Sequence, residues 1–138
     1  MSERNVGPAS PESGPFWEAT RERRLVLQWC TACEEPIQYP RSFCPRCQAS
    51  GSSLEWRDAS GLGVVYAIVV EHKPEAMGEE SPYAVALVDL EEGVRLMTNI
   101  VGPDALSATI STGVRVTWEP LEDGRNLPLF EVSAAKQV

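Results

Sequence analysis

The sequence Cys30-Thr31-Ala32-Cys33 is followed ten residues later by Cys44-Pro45-Arg46-Cys47, and these four cysteines are the only ones in the 138-residue chain. Two C-x-x-C pairs at this spacing are typical of a tetrathiolate zinc site, because Zn²⁺ prefers four tetrahedral ligands and a two-residue spacer lets both sulfurs of one pair reach the same ion. Four bound thiolates leave no coordination position for water or substrate. We therefore expect a structural zinc ion that stabilises a small ribbon and takes no part in catalysis.

Three other uses of the cysteines compete with a zinc site. Disulfide bonds are disfavoured because residues 1–14 lack the apolar run of a secretory signal peptide, and thiols in the cytoplasm stay reduced. A thioredoxin-type redox site would use one pair beside a strand–helix–strand unit, whereas this chain has two pairs. An iron centre of the rubredoxin type uses the same four thiolates, and the spacing does not separate it from zinc.

Charge and hydropathy argue against two classes of partner. The formal net charge is −8 and the pI is near 4.7, which opposes the phosphate-driven electrostatics of nucleic-acid binders. No stretch approaches the roughly 20 consecutive apolar residues of a membrane-spanning helix. We therefore expect a soluble, cytoplasmic protein that binds neither nucleic acid nor membranes.

Composition divides the chain into three parts. Residues 1–14 are rich in Pro, Ser and Gly and are predicted to form a disordered tail or linker. Residues 15–60 are predicted to form an N-terminal helix and the zinc ribbon, and they contain six arginines and six acidic residues. Residues 61–138 are predicted to form a second, compact domain, which contains five basic and twelve acidic side chains. Arg41 and Arg46 lie among the cysteines, where they are expected to offset the charge of about −2 that four thiolates leave on one Zn²⁺.

The pattern of apolar residues and turns predicts a mainly β fold. Residues 15–24 are expected to form a short helix that Ser13 caps, and the acidic stretch 73–82 a loop. Strands are predicted at 25–29, 37–40 and 54–57 in the ribbon, and at 64–70, 83–90, 94–101, 114–118 and 127–132 beyond it. A helical turn at 104–108, capped by Asp104, separates the third and fourth of the later strands. This order matches a five-stranded OB-fold barrel, which closes on itself and exposes no sheet edge.

Phe16 and Trp17 place two large rings at the start of a helix too short to be stable alone. Such rings are expected to be buried, either against the chain's own body or against a partner protein, because aromatic residues are also enriched in interface cores.

Several motifs, taken together and in order, resemble the acyl-CoA-associated family of rubredoxin-like zinc ribbons fused to an OB-fold. They are Phe16-Trp17-Glu18-Ala19, the two C-x-x-C pairs with Pro40-Arg41 between them, Ser60-Gly61, Pro82-Tyr83-Ala84-Val85-Ala86-Leu87-Val88 and Leu127-Pro128-Leu129-Phe130. The resemblance runs from Gly14 to the C-terminus.

The resemblance implies a non-catalytic companion of a thiolase-fold enzyme, either as a separate small protein or as the C-terminal domain of an enoyl-CoA hydratase-like chain. In the branch that acts on steroid side chains, the partner is a lipid-transfer-protein-like thiolase homologue that performs retro-aldol cleavage of a hydroxyacyl-CoA. The acyl-CoA would then be shared with the partner, in a heterotetramer of two plus two subunits. The sequence leaves open which acyl-CoA is bound and whether the partner condenses or cleaves.

The residues themselves also favour an accessory role. The only histidine, His72, is predicted at a strand end beside the acidic loop, and no thiol remains free once a metal is bound. No catalytic residue is therefore predicted. The cluster of Arg21, Arg23 and Arg24 is the one place that offers several guanidinium groups to the phosphates of CoA, although such clusters are commonly solvated.

Two alternative functions remain at this point. An OB barrel with a zinc ribbon is also typical of single-stranded nucleic-acid binding, with Tyr66, Tyr83 and Trp118 as a stacking platform, but the acidic barrel opposes it. A thiol oxidoreductase would have cysteines that react without removal of any metal, so thiol titration before and after chelation distinguishes it from a zinc site.

Overall fold

The computed structural model describes residues 6–72 and 82–133, so most of the predicted acidic loop lies outside the described residues. These residues form one α-helix, α1 (Gly14–Thr20), and eight strands: β1 (Val26–Cys30), β2 (Glu35–Ile37), β3 (Leu54–Asp58), β4 (Leu62–Glu71), β5 (Tyr83–Leu90), β6 (Arg95–Val101), β7 (Gly113–Pro120) and β8 (Asn126–Val132). Single 3₁₀ turns lie at Gly51–Ser53 and Ala105–Ser107. The mainly β fold class is confirmed. Within the described residues, no helix is long and apolar enough to cross a membrane.

The first three strands form an antiparallel sheet in the order β2-β1-β3, which is the ribbon. Its buried cluster is small and consists of Cys30, Ile37 and Cys44. So few apolar contacts cannot hold a module of this size without a further source of stability, as expected for a ribbon that a metal stabilises.

The remaining strands close into a barrel in the order β4-β5-β6-β8-β7, with every pairing antiparallel except the parallel contact of β6 with β8. Twelve buried residues form its core, among them the fully buried Phe130, Val88 and Val114. Leu25 and Leu27, which belong to the start of the ribbon, lie in the same core. The predicted five-stranded OB fold is confirmed, and the ribbon packs on it through β1.

Helix α1 attaches to the barrel through Thr20, which is fully buried. The Thr20 hydroxyl donates to the Trp17 carbonyl at 2.6 Å and accepts the Asn126 backbone N–H at 3.3 Å. The Asn126 amide donates back to the Thr20 carbonyl at 2.7 Å. These bonds satisfy the polar groups at the end of α1 and hold the helix against β8.

Four local predictions are wrong. The helix ends at Thr20 instead of residue 24, because Arg23 takes the left-handed conformation (φ 56°) and the Arg24 N–H bonds the Ala19 carbonyl, as in a Schellman turn. The second ribbon strand lies at Glu35–Ile37 instead of 37–40, since the tight turn after Cys30 sets its pairing. Neither predicted cap forms a side-chain cap bond: the hydroxyl of Ser13 lies 3.1 Å from that of Ser10, and backbone bonds close the turn at Asp104.

The domain boundaries at residues 14 and 60 stay predictions.

Candidate functional site

The two cysteine pairs lie in matching turns of the ribbon. Cys30 ends β1 and Cys33 lies in the turn to β2, while the second turn is closed by the Cys44 N–H, which donates to the Ala49 carbonyl at 2.8 Å. The residue after each pair, Glu34 or Gln48, takes the left-handed conformation, with φ of 55° and 66°. This reversal turns the backbone so that both sulfurs of a pair face the same point.

The four sulfur atoms form one cluster. All four Sγ atoms lie within 4.8 Å of one another, with 3.5 Å between Cys30 and Cys47 and 3.7 Å between Cys33 and Cys44. A tetrahedral ion with metal–sulfur bonds of 2.3 Å requires sulfurs about 3.8 Å apart, so the cluster fits a single metal ion. No cysteine is in a disulfide. The donor set is that of a tetrathiolate metal site.

The surroundings of the cluster favour thiolates unequally. A hydrogen bond from the Cys47 backbone N–H lowers the pKa of Cys44 to about 6, whereas burial raises the pKa of Cys33 to about 11. Arg46 hydrogen-bonds Cys33, which raises the guanidinium pKa, and it donates to the Pro36 carbonyl at 2.8 Å. The predicted electrostatic role is therefore supported for Arg46. Arg41 contributes its backbone instead, which pairs with the Gln28 side-chain amide through two bonds of 2.8 Å.

An apolar groove of about 230 Å³ runs between the helix, the ribbon and the barrel. Phe16 and Trp17 line it, with ring centroids 5.2 Å apart in an edge-to-face arrangement. Phe16 also packs on the barrel core, and the Arg125 guanidinium lies over the Trp17 ring at 4.9 Å. Both rings are thus half-buried by contacts within the chain, and each exposes one side to the groove. Among residues 6–72 and 82–133, no charged side chain lines the groove.

Arg125 joins the predicted tail to the barrel. Its buried guanidinium donates to the Asp123 carboxylate at 2.8 Å and to the carbonyls of Val6 and Gly7, each at 3.0 Å. Arg125 was not among the sequence-predicted residues, because this role depends on the β7–β8 turn meeting the N-terminal segment.

The arginines predicted to contact CoA lie at the exposed end of α1 and do not line the groove. Arg21 pairs with Glu18 at 3.2 Å and donates to the Asp123 carbonyl at 2.8 Å. Arg24 pairs with Asp58 at 2.9 Å. Two of the three guanidinium groups are therefore already engaged in the described part of the chain, and Arg23 is exposed.

The residues proposed for other chemistry are not brought together. His72 is exposed at the end of β4, where its backbone N–H donates to the Glu71 carboxylate. Of the proposed stacking platform, Trp118 packs against the barrel core, and the Arg95 guanidinium lies over the Tyr66 ring, 3.4 Å from the ring centroid. These contacts remove support for nucleic-acid stacking.

Sequence reasoning missed an apolar surface on the outside of the barrel, formed by β4, β5 and β6. We call this surface the outer apolar face; its residues are Val64, Tyr66, Val69, Val85, Leu87 and Met97. The signal was present in residues 83–88, where a run without polar residues indicates a strand that is covered on both sides.

Comparisons with known proteins match both modules. Residues 17–54 match the family model described as the ChsH2 rubredoxin-like zinc ribbon domain, and residues 56–119 the ChsH2 C-terminal OB-fold domain. The chain is 38% identical over 135 residues to a probable enoyl-CoA hydratase alpha subunit of Thermomonospora curvata, and 29% identical over 115 residues to the 3-oxo-4,17-pregnadiene-20-carboxyl-CoA hydratase alpha subunit of Mycobacterium tuberculosis. These alignments cover 94% and 83% of this chain but only 40% and 36% of the relatives, so the chain spans about two fifths of their length.

Two shorter proteins match over most of their own length. A DUF35 domain-containing scaffold protein of Methanocaldococcus jannaschii is 33% identical over 111 residues, which are 78% of either chain. The solved structure named Ltp2-ChsH2(DUF35) aldolase contains a chain that superposes with a TM-score of 0.81 at 35% identity, covering 92% of this chain and 98% of that one. The chain therefore belongs to the DUF35 family, in which it has the ChsH2 combination of a rubredoxin-like zinc ribbon and an OB-fold domain.

Proposed function

We propose that this chain is a non-catalytic subunit that binds a thiolase-fold, lipid-transfer-protein-like enzyme and supports carbon–carbon bond chemistry on acyl-CoA thioesters in that enzyme. The reaction we propose is retro-aldol cleavage of a steroid side-chain CoA thioester. The observation that carries the proposal is the 35% identity, over 98% of its length, to a chain of the Ltp2-ChsH2(DUF35) aldolase. The name of the Mycobacterium tuberculosis relative, a pregnadiene carboxyl-CoA hydratase subunit, supports the steroid substrate class.

The chemistry of the described side chains supports an accessory role. Four thiolates saturate the metal site, so the metal we propose there, Zn²⁺, serves to fold the ribbon and cannot activate water or polarise a carbonyl. His72 is exposed, with no hydrogen-bonded nucleophile or carboxylate on its ring among the described contacts. Reaction chemistry would then belong to the partner, in the cytoplasm where thiols stay reduced.

Acyl-CoA would be shared between the two proteins. In this proposal Arg23, with Arg21 and Arg24 beside it, faces the CoA phosphates, while Phe16 and Trp17 lie near the partner. The exposed position of Arg23 and the open side of the aromatic pair support these contacts. Two copies of each protein would form the assembly.

A hydratase complex is the second candidate partner, because both longer relatives are named hydratase alpha subunits. In that case the remainder of such a subunit, which this chain does not span, would supply the catalytic domain.

Co-expression tests the proposal. Tagged full-length chain is expressed with each thiolase-fold and each hydratase-like homologue of the source organism, and complexes are captured, sized by light scattering and analysed for metal. We expect a stable complex of two plus two subunits with a thiolase-fold homologue and one Zn²⁺ per chain. Capture of hydratase-like proteins alone would favour the second candidate, and capture of neither would reject both. Stoichiometric iron would overturn the zinc assignment.

A further inference from the structure

The outer apolar face is built from residues that the strand register places side by side. Leu87 of β5 lies opposite Ala67 of β4 on one side and Met97 of β6 on the other. In the next row, Val85 lies opposite Val69 and Asn99. Because directly paired residues project from the same face of a sheet, these side chains form one continuous surface.

Another outer surface of the same barrel provides an internal comparison. On β7 the outward positions are Arg115, Thr117 and Glu119, which alternate with Val116 and Trp118 packed on the core. That alternation is expected for a strand with one face in water. On β4 and β6, by contrast, Val69 and Met97 are 60% and 64% exposed. The apolar composition is therefore a property of this face, and not of the whole barrel.

The charges at the border of the face neutralise one another. Arg95 pairs with Asp89 at 2.7 Å, and its guanidinium lies over the Tyr66 ring, 3.4 Å from the ring centroid. At this end of the face the described charges are therefore paired, although the chain as a whole carries a formal charge of −8. A partner that covers the face needs an apolar surface there.

We propose that the outer apolar face is the surface on which this chain docks its thiolase-fold partner, side chain against side chain. The inference rests on the proposed function and names the face that serves it. The face consists of the outward side chains of β4, β5 and β6, so the contact we propose is made by packed side chains. The related chain at 35% identity comes from an assembly named for two proteins, which favours a different protein over a second copy as the occupant. Met97 also lines the groove beside Phe16 and Trp17, so a partner on this face reaches the groove as well.

Charged substitutions test the face. Val69→Lys and Met97→Lys place an ammonium group within it, while the free chain keeps its fold because both sites are solvent-exposed. Ile110→Lys is the matched control, since Ile110 is 66% exposed and lies outside the face. Affinity is measured by titrating full-length chain into the thiolase-fold homologue that co-purifies with it. We expect about 100-fold weaker binding for each face variant, near wild-type binding for Ile110→Lys, and little change between low and high salt.

The outcomes separate this inference from the proposed function. If wild type binds a thiolase-fold protein and both face variants bind equally well, the docking face is elsewhere and only this inference fails. If wild type binds no such protein, the proposed function fails. If the wild-type chain is a homodimer that the two face substitutions dissociate, the face pairs two copies and the inference is overturned. Metal content and circular dichroism of each variant show that it is folded.

Discussion

The ribbon and the barrel of this protein are stabilised in different ways. The ribbon has three buried residues in its own cluster, two of which are metal-ligand candidates, whereas the barrel core has twelve buried residues. Burial of apolar surface scales with module size, so a module as small as the ribbon is expected to depend on the metal proposed for its cysteine cluster, and the barrel is not. The comparison shows how one chain can keep two folded modules without a large shared core: Leu25 and Leu27 are the buried links between them.

The largest expected effect is the loss of a metal ligand. Cys44→Ser removes the ligand whose thiolate is the most favoured, and structural Zn²⁺ contributes about 10 kcal/mol or more to the folding of comparable modules. We expect loss of bound metal and of hydrogen-exchange protection in β1–β3, while the barrel stays folded but weakened because Leu25 and Leu27 leave its core. Ser42→Ala, at an exposed neighbouring position, is the control and should retain the metal. Full hydrogen-exchange protection of β1–β3 in the metal-free Cys44→Ser variant would contradict a ribbon that depends on metal for its fold.

A core substitution in the barrel is expected to have the next largest effect. Phe130 is fully buried, so Phe130→Ala should lower the free energy of unfolding by about 3–5 kcal/mol and leave metal binding intact. Phe43→Ala is the matched change in the ribbon, where the ring is 46% exposed, and should cost well under half as much. Urea denaturation of both variants measures the difference. Equal losses of unfolding free energy in the two variants would contradict the claim that the barrel depends on a buried apolar core more than the ribbon does.

The hydrogen bonds of the Thr20 hydroxyl, which join α1 to β8, should contribute less to the free energy of unfolding. Thr20→Val keeps the shape of the side chain but removes the hydroxyl that bonds Trp17 and Asn126, so we expect a loss of about 1–3 kcal/mol. Thr117→Val, on the outer side of β7, should change stability by a few tenths of a kcal/mol. Thermal unfolding of the two variants gives the comparison, and similar melting temperatures would refute a structural role for the Thr20 hydroxyl.

The smallest effect concerns pH. The hydrogen bond from the Arg125 guanidinium lowers the pKa of Asp123, so the folded state favours the carboxylate. A lowered pKa stabilises the fold above the ordinary aspartate pKa of about 3.9, and that stabilisation is lost as pH falls through the lower folded value. Asp123→Asn should therefore reduce stability at pH 5 to 7 and flatten the fall in stability below about pH 4. Asp104→Asn is the control, and an identical pH profile for Asp123→Asn and wild type would contradict the expectation.

Much of the fold follows from local sequence signals, and the errors have physical causes. The four-cysteine cluster, the order of strands along the chain and the 3₁₀ turn between β6 and β7 are confirmed. Each could be predicted because it depends on residues that are close together in the sequence. The second ribbon strand was misplaced because its register depends on the turn after Cys30. The groove and the Arg125 contacts were missed because they join segments far apart in the chain. The outer apolar face was readable in part from residues 83–88 but required the register of β4 and β6 to locate.

The most direct test of the accessory role is an activity assay with separated proteins. The metal-loaded chain, the proposed thiolase-fold partner and the reconstituted complex are each given a steroid side-chain hydroxyacyl-CoA, and release of the cleaved CoA product is followed. We expect no turnover by the chain alone and the highest turnover by the complex. Cleavage by the isolated chain, at a rate that persists after removal of every trace of partner, would contradict the account.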